Sequence, residues 1–204
     1  MATSDMDRTA VREAWDSVSG VYAQSRNPDG SDAALIEEWL PTLSGSRRVL
    51  DIGCGDGART LANLPTDAVG IDISGVGLSL AAEGVPNPLV QGDMVELPFQ
   101  ADQFDGITAY HTVFHVARNI HPEVYAEFAR VLAPGGRLLM TVGEGGYETT
   151  RRNWLRSGER MFFSTPGLER TRTQLETAGF GALETRSVDD PLGSSALFLI
   201  AELA

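Results

Sequence analysis

Short apolar runs alternate with amphipathic stretches along most of this 204-residue chain. From Arg47 onward, strand-like runs at 47–52, 68–72, 88–92, 104–111 and 136–142 are separated by helical spacing at 57–64, 75–83, 121–133 and 168–178. Strands divided by helices predict a mostly parallel sheet with helices on both faces. Two closing runs, 183–188 and 195–203, are joined by Asp189-Asp190-Pro191-Leu192-Gly193. That connection is too short for a crossover helix, so the last pair is predicted to be an antiparallel hairpin. Upstream, 5–24 and 31–43 read as helices around the turn signal Asn27-Pro28-Asp29-Gly30.

Length and composition fit one α/β domain whose core needs no disulfide or metal staple. The longest apolar runs, Leu138 to Val142 and Ala196 to Ala201, are too short to span a bilayer. The start has no basic stretch leading into an apolar one, and Cys54 is the sole cysteine. These features predict a cytoplasmic protein without a membrane partner.

Charge adds more. Acidic residues number 28, all 16 basic residues are Arg, and the net charge is −12. Such a balance argues against nucleic acid as a partner, because nothing offsets phosphate repulsion. A lysine-free acidic surface also resembles that of proteins from salt-loving archaea, where repulsion is screened within about 3 Å at molar salt. A GC-rich genome that prefers Arg codons accounts for the missing lysine but not for the acidic excess.

The densest chemistry lies in Val49-Leu50-Asp51-Ile52-Gly53-Cys54-Gly55-Asp56-Gly57, a buried strand entering a glycine turn before the helix expected at 57–64. Glycine permits positive φ and a close backbone approach to a ligand, and a helix start offers free N–H groups. Gly53, Gly55 and Ala58 satisfy the dinucleotide pattern, and Asp72 follows Gly53 by 19 positions, where a ribose-binding carboxylate belongs. An NAD(P)-linked oxidoreductase is therefore a genuine alternative.

The ordered set Asp51-x-Gly53-x-Gly55-x-Gly57, Gln91-Gly92-Asp93-Met94, Phe104-Asp105 and Leu132-Ala133-Pro134-Gly135-Gly136 resembles the landmarks of class I S-adenosylmethionine-dependent methyltransferases. Within that class the chain looks most like the group that includes ubiquinone and menaquinone biosynthesis enzymes. The resemblance implies a Rossmann-like seven-stranded sheet and transfer of a methyl group to a small-molecule acceptor. S-adenosylmethionine would be the donor, S-adenosylhomocysteine the product, and no metal would be used. It divides the chain into a helical lid over 1–44, a cofactor core over 45–142, an irregular acceptor cover over 143–167, and a closing helix and hairpin over 168–204. Monomer and homodimer both remain open, as does a non-catalytic cofactor-binding protein with this fold.

By the same resemblance, Gly53, Cys54 and Gly55 approach the donor through backbone, with Asp51 near its amino group. Asp51 has a second reading as a carboxylate that caps the turn. Asp72 would take the ribose hydroxyls, Ile73 would pack on adenine, and Asp93 and Met94 would complete the adenine pocket. Tyr110 and the segment through Val116 would pass beside the methyl group. Tyr22 and Trp15 either face the sulfonium or are core aromatics. Cys54 is a packing residue, not a nucleophile.

His111 and His115 are the candidate bases, since imidazole titrates near neutrality, though His115 also suits a structural hydrogen bond. His121, before Pro122, fits a helix start. On the acceptor side, Glu144, Tyr147, Arg151 and Arg152 are candidates, within an Arg151, Arg152, Arg156, Arg160 cluster interleaved with Trp154, Met161, Phe162 and Phe163. That wall either selects an anionic or partly aromatic small acid or is a solvated face. Tyr110-His111-Thr112-Val113 stands where adenine and glutamine amino-methylating enzymes carry an Asn/Asp-Pro-Pro-Tyr/Phe-like element. No Cys/His cluster has metal-ligand spacing.

Overall fold

The computed structural model describes residues 7–25, 32–189 and 195–204. At its centre Val49–Ile52 forms β1, fully buried, with β2 (Val69–Asp72) and β4 (Phe104–Ala109) parallel on its two sides. Adding β3 (Leu89–Gln91), β5 (Leu132–Val142), β8 (Phe180–Asp189) and β9 (Ser195–Leu203) gives a seven-stranded sheet ordered β3-β2-β1-β4-β5-β9-β8. The first five strands run parallel, and β9 is antiparallel to both β5 and β8. The expected fold class is thus the observed one. The turn signal at Asn27 to Gly30 and the connection from Asp190 to Gly193 lie outside the described residues.

Period-two alternation explains why both faces are covered. Leu50 and Ile52 of β1, with Leu138 and Met140 of β5, point to one core, shared with Val124, Tyr125 and Phe128 of α4 (His121–Val131) and Leu175 of α5 (Leu168–Thr177). Val49 and Leu139 point to the other, against Leu35, Ile36 and Trp39 of α2 (Asp32–Trp39). Gly106 lets Trp39 and Leu43 pack onto β4, since a Cβ there would sit 2.7 Å from the indole.

The long helix α1 (Arg8–Ser25) lies over α3 (Gly75–Gly84) and is pinned to it by polar contacts. Asp16 accepts from Ser74 Oγ at 2.7 Å and from the Val76 amide at 3.2 Å, which places a carboxylate at the positive end of α3.

Two expectations need correction. No α-helix spans 57–64; turns there lead into one 3₁₀ turn, Leu61–Asn63. Gly53, Gly55 and Gly57 all have positive φ, and Pro65 bars further winding, so the chain spends these residues as turns. The cover at 143–167 is also more ordered than expected. Tyr147–Arg152 (β6) and Arg160–Thr165 (β7) pair as an antiparallel hairpin, bringing Thr149 opposite Phe163 and Arg151 opposite Met161. Met161 and Phe163 of this ribbon, two positions apart on one face, pack against Ala14, Trp15 and Val18 of α1.

Candidate active site

A cavity opens beyond the C-terminal ends of β1, β2 and β4, where the strand order reverses and the crevice of such sheets lies. Its floor is the glycine turn. Gly53 and Cys54 donate their amides to the Ile71 carbonyl at 2.8 and 3.2 Å, which ties the turn to β2. A side chain at Gly53 would run into Thr112, whereas one at Gly55, at φ +57°, would meet no protein atom and enter the open space. Asp72 braces the same turn, accepting from the Gly55 amide and the Ser74 amide, both at 2.8 Å. Burial raises its pKa, and these amide bonds oppose that rise.

Of the residues expected at a cofactor, Tyr22, Gly53, Cys54, Gly55, Asp72, Ile73, Met94 and Tyr110 line this cavity, and Trp15 joins them. Asp51 and Asp93 do not. Asp51 is buried behind the turn, where its carboxylate accepts from the hydroxyls of Thr60 and of Thr108, the latter at 2.7 Å. Asp93 faces Arg8 of α1, whose Nε and second terminal nitrogen donate to its two oxygens at 2.7 and 2.9 Å. The remaining terminal nitrogen of Arg8 donates to the His115 carbonyl at 2.7 Å. Cys54 is a buried thiol whose pKa is pushed up by burial and then by Asp51 and Asp72.

A second cavity lies between α1, the end of β5, the β6–β7 hairpin and the start of β9. Trp15, Tyr22, Arg59, His111 and His115 belong to the walls of both cavities. Glu144, Tyr147 and Arg151 line the second; Arg152, Arg156 and Arg160 are exposed and line neither. Its aromatic wall is continuous: Trp15 meets Tyr22 edge-on at 5.4 Å and Trp154 at 5.5 Å, and Trp154 meets Phe163 at 5.6 Å.

The two histidines at the junction are held differently. His111 has φ +52°, donates its amide to Thr141 Oγ1 at 2.7 Å, and its Nε2 lies 2.9 Å from an Arg59 nitrogen. A guanidinium only donates, so Nε2 accepts and this imidazole carries its proton on Nδ1. His115 is buried, and its Nδ1–H donates to the Phe162 carbonyl at 2.8 Å, leaving a lone pair on Nε2. Burial pushes its pKa down to about 4, with the Arg8 and Arg151 charges adding to that effect. His121 sits away from both cavities, between the Val116 carbonyl and the Tyr125 hydroxyl.

Arg8 and Arg59 carried no motif in the sequence. Arg59 had one usable signal, an arginine set among Ala58, Leu61 and Ala62, and it is indeed buried. Thr112 and Thr141 had none.

A family model described as "Methyltransferase domain" matches residues 50–140. Residues 50–140 are therefore similar to a methyltransferase domain. Over 73% of its length it is 30% identical to the bifunctional biotin biosynthesis protein BioHC of Cellvibrio japonicus (strain Ueda107), covering 30% of that protein. It is 28% identical, over 73% of its length, to a tRNA (carboxymethyluridine(34)-5-O)-methyltransferase of Arabidopsis thaliana, covering 36% of it. The chain thus spans about a third of the length of these curated relatives. Among solved structures, the Burkholderia thailandensis 1,6-didemethyltoxoflavin-N1-methyltransferase, with bound 1,6-didemethyltoxoflavin and S-adenosylhomocysteine, superposes with a TM-score of 0.74. That match covers 100% of this chain and 92% of the other at 19% identity, and it shows the shared fold. The cofactor of this class is S-adenosylmethionine. Among the described residues no group of His, Cys, Asp and Glu could hold a metal ion, and no helix is long and apolar enough to cross a membrane.

Proposed function

We propose that this methyltransferase moves a methyl group from S-adenosylmethionine in the first cavity to a small-molecule acceptor in the second. One observation carries the reading: the two cavities share a wall of Trp15, Tyr22, Arg59, His111 and His115, so a donor and an acceptor would meet there. The first cavity suits the donor. Gly55 leaves backbone open to the methionine portion, Asp72 stands at the strand end for ribose hydroxyls, and Ile73 and Met94 offer apolar surface to adenine. When bound, the cofactor supplies an electrophilic methyl on a sulfonium, and Tyr22 and Trp15 present aromatic faces that attract such a cation.

The chain's own contribution is alignment and exclusion of water. The N-terminal helix α1 closes the site as a lid, through Arg8 at one end and Trp15 and Tyr22 further along. His115, neutral at pH 7, offers its Nε2 lone pair to a hydroxyl or amine on the acceptor and so orients it. With a pKa near 4 it is a weak base, so an acceptor that must shed a proton early is disfavoured. Arg59 fixes the His111 ring beside it.

A small acceptor is favoured over tRNA because a net charge of −12 repels a phosphate backbone. Incubation with labelled S-adenosylmethionine and, separately, a small-metabolite extract and bulk tRNA tests this directly. Label is expected in the small-molecule fraction alone; label in tRNA overturns the choice of acceptor.

A further inference from the structure

The second cavity is lined by an arginine with no carboxylate partner among the described residues. Arg8, Arg48, Arg118, Arg130, Arg137 and Arg186 each pair with a carboxylate. Arg151 lines the cavity instead, with its guanidinium carbon 4.5 Å from the Phe163 ring centroid. Among the described residues, no carboxylate lies within ion-pairing distance of it. Contact with the ring fixes the charged head without a counter-ion, so its N–H groups keep their capacity for a ligand. A second guanidinium, Arg59, is in the same wall, and Glu144 is the sole carboxylate among the described lining residues. The described lining thus carries two guanidinium groups and one carboxylate, on a chain of net charge −12.

The surrounding surface is flat and aromatic. Trp154 stacks on Tyr22 at 5.7 Å with planes 27° apart, and Phe163 closes the side beneath Arg151. Rings in this arrangement favour a planar ligand, and a guanidinium at the edge of the wall favours a carboxylate or similar oxyanion on it.

We infer that the acceptor is a flat aromatic or heteroaromatic acid, its ring against Trp154 and Phe163 and its anionic group at Arg151. The inference rests on reading the second cavity as the acceptor site. The register of the hairpin makes the choice of arginine specific: Arg151 and Arg152 are both largely exposed, but only Arg151 borders the cavity, and Arg152, one residue on, lines neither.

The test compares three probes of one shape: naphthalene-2-carboxylate, the matching amide and the matching aminomethyl compound. Each is titrated by ligand-observed NMR, with and without saturating S-adenosylhomocysteine. The carboxylate is expected to bind about fivefold more tightly than the amide, as a partly exposed charge pair allows. The amine is expected to bind more weakly than either. Arg151→Gln should erase the carboxylate preference while S-adenosylhomocysteine affinity stays within about twofold of the parent. Equal or tighter binding of the amide or amine overturns the inference, and so does a preference that survives Arg151→Gln or binding of none of the three. Failure of the parent protein to bind S-adenosylhomocysteine removes the methyl-transfer reading instead, and the probe series without it still decides the ligand class.

Discussion

Both carboxylate oxygens of Asp93 are held by Arg8, Nε to Oδ2 at 2.7 Å and the second nitrogen to Oδ1 at 2.9 Å, across 85 positions of sequence. The same guanidinium takes the His115 carbonyl, so one side chain of α1 ties the turn after β3 to the segment carrying the junction histidine. The pair is partly exposed, with side chains 25% and 21% accessible, which limits its worth to about 1–2 kcal/mol. Arg8→Ala is therefore expected to loosen α1, weaken S-adenosylhomocysteine binding about five- to tenfold and speed tryptic cleavage after Arg12. Arg8→Lys should recover only part, because an ammonium cannot reproduce the bidentate bond. Calorimetry with limited proteolysis reads both effects, and unchanged values in Arg8→Ala would show that this contact does not hold α1.

The glycines of the turn separate folding from binding. Gly53→Ala collides with Thr112 at φ +68° and should destabilise the fold outright. Gly55→Ala, at φ +57° with open space ahead, should cost only the about 1 kcal/mol of a left-handed alanine. Its methyl group enters the first cavity, so S-adenosylhomocysteine affinity should fall by more than about tenfold. A Gly55→Ala protein that melts nearly as the parent does and still binds normally would place the cofactor elsewhere.

Two buried histidines set an acid limit on stability. Burial holds the pKa of His115 and His121 down to about 4, against 6.5 for the free side chain. As pH falls below 6.5 the unfolded chain takes up protons first, so stability is full above 6.5 and is lost progressively down to about pH 4. Each site can remove on the order of 3 kcal/mol. The thermal midpoint should fall across that window and be level between pH 7 and 9. His121→Gln, away from both cavities, should make the fall shallower; an identical slope would remove this histidine from the account.

Much of the first cavity's lining was legible because a buried strand, a glycine turn and an acidic strand end leave marks at fixed spacing. Gly53, Gly55, Asp72 and Met94 fall where those marks put them. The helix expected at 57–64 was not legible, because three glycines with positive φ and Pro65 outweigh the apolar spacing of Leu61 and Leu64. Asp51 and Asp93 show the limit of motif spacing, which fixes where the backbone goes and says nothing of which hydroxyl or guanidinium captures a carboxylate. Thr60, Thr108 and Arg8 do so here. Around the second cavity the arginine cluster was visible, but only the pairing of β6 with β7 separates Arg151 from Arg152. Arg59 was hidden because the long-range contact that defines it, with His111, spans 52 positions.

The central claim is that the first cavity is built for S-adenosylmethionine, although Asp72 and the glycine turn also suit a dinucleotide. Calorimetric titration of the protein with S-adenosylhomocysteine and, in parallel, with NAD tests that claim most directly. Saturable binding of S-adenosylhomocysteine at one site per chain, with no heat from NAD, is the expected result. Tight binding of NAD with none of S-adenosylhomocysteine would contradict it.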